Sequence, residues 1–89
     1  MNAKHIKVFG RVQGVGFRFF TSQLANKYNI VGSVENVSDY VEIYASGDQE
    51  NLDAFVKGVV EGVAPASSVD DYTIEDVTLD EKTKHFKTL

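Results

Sequence analysis

The apolar residues of this chain change their spacing as the chain advances, and the order of those changes leaves few folds open. Lys4 to Gly10 alternates, with Ile6 and Val8 on one face and His5, Lys7 and Phe9 on the other. That period of two marks a strand. Phe17, Phe20, Leu24, Ala25 and Tyr28 then recur at helical spacing and give one apolar face, with Asn29 as a stop signal. Val31 to Val37 reads as a second strand, and Val41, Ile43 and Ala45 alternate against Tyr40, Glu42 and Tyr44 in a third. Only Ser38-Asp39 separates them, so a tight hairpin is expected, with Asp39 in the left-handed conformation that aspartate tolerates. Asp48 is a natural N-cap for a second helix, Glu50 suits its positive end, and Leu52, Phe55, Val56, Val59 and Val63 form its stripe. Val69 to Leu79 is a fourth, acid-rich strand, and Phe86 anchors a short last segment to the core.

The resulting order, β-α-β-β-α-β, predicts an α+β, ferredoxin-like sandwich: a four-stranded antiparallel sheet with two helices on one face. Right-handed crossovers place the third strand between the first and second, and the first between the third and fourth. The first and second strands then run the same way, and their C-terminal ends share one edge of the sheet. Residues 1–89 are read as a single domain. Hydrophobic residues make up 43% of the chain, enough for one core, and the absence of cysteine excludes disulfides, thiolate metal sites and a catalytic thiol.

At the shared edge stands Gly10-Arg11-Val12-Gln13-Gly14-Val15-Gly16-Phe17-Arg18, a glycine-punctuated turn from strand to helix. It lacks the Gly-Lys-Ser/Thr ending of a nucleotide P-loop, and Gly14-x-Gly16 is followed by Phe19 where a dinucleotide fingerprint needs a small residue. More general physics remains. The first amides of a helix have no partner within it, the helix dipole makes that end positive, and glycines let the backbone curl around a ligand. Arg18 falls in the first turn, where its planar fork can clamp phosphate oxygens. The stretch reads as an anion cradle suited to phosphate, with Asn36, near the end of the second strand, as its spatial neighbour.

Gly10-x-Val12-Gln13-Gly14-Val15-x-Phe17-Arg18 resembles the signature of the acylphosphatase family, and the resemblance runs on through Gly32-x-Val34-x-Asn36, Val41-Glu42 and Gly47. It covers essentially the whole chain and is particularly close to staphylococcal-type members. The resemblance implies a metal-independent hydrolase, without cofactor, that splits acyl phosphates into a carboxylate and inorganic phosphate, the latter both product and inhibitor. It implies that Arg18 and the backbone of Gln13, Gly14, Val15, Gly16, Phe17 and Arg18 hold the phosphate, and that Asn36 positions the attacking water. An acyl phosphate has a good leaving group, so positioning and charge stabilisation suffice without a catalytic histidine or carboxylate pair. Ser33 and Glu35 stand where the family often has an aromatic and then a basic residue, and Glu35 is expected to point away from the face bearing Asn36. The alternative is a catalytically silent anion-binding regulatory module of the same fold.

The net charge of -4 opposes nucleic acid and anionic membranes as partners. With no apolar run of membrane-spanning length and no signal-peptide core, the chain reads as a cytoplasmic monomer. His5 and His85 read as surface residues, Phe17, Phe19 and Phe20 as packing residues, and Tyr40 and Tyr44 as cross-strand neighbours on the open face of the sheet.

Overall fold

A computed structural model describes all residues from Met1 to Leu89. The chain runs β1 (Asn2–Arg11), α1 (Phe17–Lys27), β2 (Val31–Val37), β3 (Tyr40–Ser46), α2 (Gln49–Val60), β4 (Ser68–Thr78) and β5 (Phe86–Thr88). The expected order of the first four strands is present: β4-β1-β3-β2, with β3 antiparallel to both β1 and β2. The sheet, however, has five strands rather than four, because β5 pairs in parallel with β2 and makes the sheet mixed. Three residues carry too little period to read as a strand, and the pairing depends on β2. Gly32 donates to the His85 carbonyl at 2.9 Å and Leu89 donates to the Val34 carbonyl at 2.9 Å.

The core is what the two periods imply. Ile6 and Val8 of β1, Val34 of β2 and Val41, Ile43 and Ala45 of β3 meet Phe17 and Ala25 of α1 and Leu52, Phe55 and Val59 of α2. Burying a side chain as large as Phe17 or Phe55 stabilises by about 1.5–3 kcal/mol. Phe86 packs edge-on against Phe55, ring centroids 6.0 Å apart, which is how the last strand is tied to the core.

Several local expectations are corrected. Phe20, Leu24 and Tyr28 of the expected stripe do pack against the core, but the fully buried residue at the middle of α1 is Thr21, which the stripe does not include. Its methyl group suits that position, and its hydroxyl has no partner. Phe19 is 58% exposed, because two residues from both Phe17 and Thr21 it falls on the side of the helix opposite their shared buried face. The hairpin has the expected two-residue turn, set by the pairing of Val37 with Tyr40, but Ser38 rather than Asp39 takes the positive φ, at 54°. Asp48 occupies the N-cap of α2 without a side-chain capping bond. His5 is not a plain surface residue. Its Nε2 lies 2.8 Å from Glu42 Oε2, and its ring stacks on Tyr44 at 4.4 Å. This pair sits on the sheet face opposite the helices, beside Tyr40, which packs against Phe9 and Lys7. No helix is long and apolar enough to cross a membrane.

Candidate active site

Chain direction brings the site together. The turn from β1 into α1 leaves the sheet at the edge where β2 ends, because β1 and β2 both run antiparallel to β3. Gly14 and Gly16 hold φ of 74° and 77°, so the turn passes through left-handed backbone that side chains resist. Gly16 is the N-cap of α1, offers no capping side chain, and no acidic residue occupies the first turn. The first backbone donor of the helix is Phe20, which bonds to the Gly16 carbonyl at 3.0 Å. None of the amides from Gln13 to Phe19 donates to a backbone carbonyl. A curl of unpaired N–H groups at a helix N-terminus is a preorganised anion site.

The expected phosphate-binding residues Gln13 to Arg18 all lie in this turn. Gly14, Gly16, Phe17 and Arg18 line a cavity of about 680 Å³, and Asn36 lines the same cavity from the end of β2. Of the turn residues, only Arg18 offers the cavity a polar side chain. The Phe17 ring is buried in the core and the Val15 side chain packs against it, so these two can offer an anion only their amides. Gln13 has a further role. Its side-chain amide donates to the carbonyls of Ser38, at 3.0 Å, and Tyr40, at 2.9 Å. The side chain therefore fastens the cradle to the β2–β3 turn, two residues beyond Asn36, and its own amide stays free.

Arg18 is half-buried, and its Nη1 donates to the main-chain oxygen of Leu89 at 2.8 Å. That bond uses one nitrogen of the fork and fixes the guanidinium at the cavity, leaving its other donors for a ligand. Asn36 lies on the helix-facing side of β2, opposite Val41, whereas Glu35 pairs with Glu42 on the other face, as the alternation requires. The Oδ1 of Asn36 is buried and has no hydrogen-bond partner. A buried polar atom in that state costs about 1–3 kcal/mol, as the Thr21 hydroxyl also does, and it calls for a partner such as a water or a ligand.

Sequence reasoning missed the rest of the cavity wall. Ser22, Gln23 and Asn26 of α1 and Thr88 of β5 line it beyond Arg18. The four-residue steps from Arg18 to Ser22 to Asn26 were a signal for one helical face, but their importance depends on β5 lying opposite.

The acylphosphatase family model matches residues 4–88. The chain belongs to the acylphosphatase family. It is 54% identical over 89 residues to an acylphosphatase of Staphylococcus haemolyticus, with all of both chains covered. The fold matches the crystal structure of an acylphosphatase from Bacillus subtilis with a TM-score of 0.92 and 39% identity, covering 100% of this chain and 99% of that one. A larger protein also matches over this chain's length. A full-length HypF, crystallised in a phosphate- and nucleotide-bound form, matches with a TM-score of 0.90 and 35% identity over 99% of this chain but only 12% of its own.

Proposed function

We propose that this acylphosphatase-family chain hydrolyses acyl phosphates as a monomeric cytoplasmic enzyme formed by the single domain 1–89, with Arg18 and the loop amides binding phosphate and Asn36 orienting water. The observation that carries the reading is the joint one. The amides of Gln13 to Arg18 are unpaired, as is Oδ1 of Asn36, and Gly14, Gly16, Phe17, Arg18 and Asn36 line one cavity, with Gln13 and Val15 in the same turn just outside it.

The phosphoryl oxygens accept hydrogen bonds from the amides of Gln13, Gly14, Val15, Gly16, Phe17 and Arg18 and from the guanidinium of Arg18. These donors are fixed before substrate arrives, so stabilising the charge of the transition state costs little reorganisation. Asn36 Oδ1 accepts a hydrogen from water, which leaves a lone pair on the water oxygen directed at phosphorus. The new bond joins water oxygen to phosphorus, and the bond from phosphorus to the carboxyl oxygen breaks with its electrons going to the carboxylate. A carboxamide is a poor base, so the proton passes to the substrate's own phosphate. The positive charge comes from Arg18 and the helix end, and the chemistry draws on no metal.

Hydrolysis of benzoyl phosphate with chelator present tests this reading. Wild-type protein should release benzoate, and in oxygen-labelled water the label should appear in phosphate rather than in the carboxylate. Loss of one preorganised donor at such a site costs about 3–4 kcal/mol, and Arg18 supplies charge as well. Arg18→Gln should therefore lower kcat/KM by at least roughly 10²–10³-fold. Wild-type turnover in that variant would overturn the assignment of Arg18. Phosphate binding without any hydrolysis would leave the silent regulatory module.

A further inference from the structure

The cradle and Asn36 occupy only one end of the cavity. At about 680 Å³ the cavity far exceeds a phosphoryl group and has the size of a site for a whole small molecule. Its apolar lining, Val12, Phe17 and Phe19, belongs to the cradle end. Beyond Arg18 the wall is Ser22, Gln23, Asn26 and Thr88, all neutral and all able to hydrogen-bond. None of these four side chains makes a hydrogen bond to another protein group. Along α1 the distance from Arg18 to Asn26 is about 12 Å at the helical rise. The arm thus runs on from the phosphate position along α1, with Thr88 of β5 in its wall.

We propose that this arm is the acyl subsite, and that Ser22, Gln23, Asn26 and Thr88 select short acyl groups bearing hydroxyl or amide functions over hydrocarbon ones. The inference rests on the acyl phosphate reading of the cradle. A hydrocarbon chain in the arm displaces water from amides and hydroxyls and returns no hydrogen bond, whereas a hydroxylated chain replaces each lost bond. No carboxylate or ammonium lines the arm, so the preference is for neutral polar groups.

The test compares two substrates of nearly equal shape, 2,3-dihydroxypropanoyl phosphate and 2-methylbutanoyl phosphate, in which hydroxyls and methyls exchange places. Wild-type protein should favour the dihydroxy compound in kcat/KM by roughly tenfold, the worth of one or two exchanged hydrogen bonds. The doubly substituted Gln23→Leu, Asn26→Leu protein changes only exposed side chains and should bring the ratio close to one. Its turnover of acetyl phosphate, too short to reach Asn26, should stay at the wild-type level. A wild-type ratio of one or below, or an unchanged ratio in the variant, would overturn the inference while leaving the hydrolase reading intact. Failure of wild-type protein to hydrolyse any of the three compounds would sink the hydrolase reading, and this inference with it.

Discussion

Two side chains show how much a single environment decides. Asn36 is an ordinary polar residue by type, yet the β2 register turns it toward the helices, where its Oδ1 is buried and unpaired. If that oxygen orients water, Asn36→Ala should lower kcat by roughly 10²-fold, comparable to losing one aligned catalytic group, while inhibition by inorganic phosphate is retained. Equal loss of phosphate inhibition would place Asn36 in the cradle instead. Tyr44, on the opposite face, has its phenol pushed above the ordinary value, first by burial and then by the charges of Glu42, Tyr40 and Glu75. The folded state therefore favours the neutral phenol. Its contribution to stability is complete below the unfolded value of about 10 and is lost as pH rises through the higher folded value. Thermal unfolding followed from neutral to strongly alkaline pH should show that loss in wild-type protein, and Tyr44→Phe should flatten it.

At the scale of elements, the site is a matter of fastening. The cradle belongs to the β1–α1 turn and Asn36 to β2, and the contact that joins them outside the core is the Gln13 side chain on the Ser38 and Tyr40 carbonyls. Gln13→Ala should cost about 1–2 kcal/mol of stability for two lost bonds. It should cost more in rate, since a misplacement of about 1 Å can lower turnover roughly 10²-fold. Stopped kinetics alongside chemical denaturation will separate the two, and a stability loss with unchanged kcat would deny Gln13 a positioning role. β5 is a second fastening. It pairs with β2 through Gly32, whose φ of 142° and close approach to the Tyr44 carbonyl leave no room for a Cβ. Its end supplies the Leu89 oxygen that holds Arg18. On the far edge, β4 carries Asp70, Asp71, Glu75 and Asp76 beside the exposed Tyr72 and Ile74. Those charges oppose edge-to-edge pairing with another sheet.

For the molecule as a whole, the anion site and the fold share their stability. The unpaired amides of the cradle exist only when β1 and α1 are formed, so an anion bound there favours the native state alone. Inorganic phosphate at about 100 times its dissociation constant should stabilise the protein by about 2.7 kcal/mol, a rise in Tm of roughly 10–20 °C for a domain of this size. Chloride at equal ionic strength should give little of this rise, and Arg18→Gln should lose most of it. A phosphate effect that survives Arg18→Gln unchanged would place the anion elsewhere.

The amino-acid sequence alone determined the alternation of strands and helices, the order of the first four strands and the cradle, because apolar period and glycine placement are local and the crossover rule is general. It also placed Asn36 beside Arg18, since two strands running the same way must end at the same edge. It could not reveal the fifth strand, because Phe86–Thr88 becomes a strand only when Gly32 and Val34 are there to pair with it. The same holds for His5, whose partners Glu42 and Tyr44 come from β3. Gln13 was legible as part of a motif, but the carbonyls it grips lie 25 and 27 residues away. The polar wall opposite the cradle likewise required α1 and β5 to face each other. Local chemistry can be read along the chain, whereas hydrogen-bond partners distant in sequence and the walls of a cavity are products of packing.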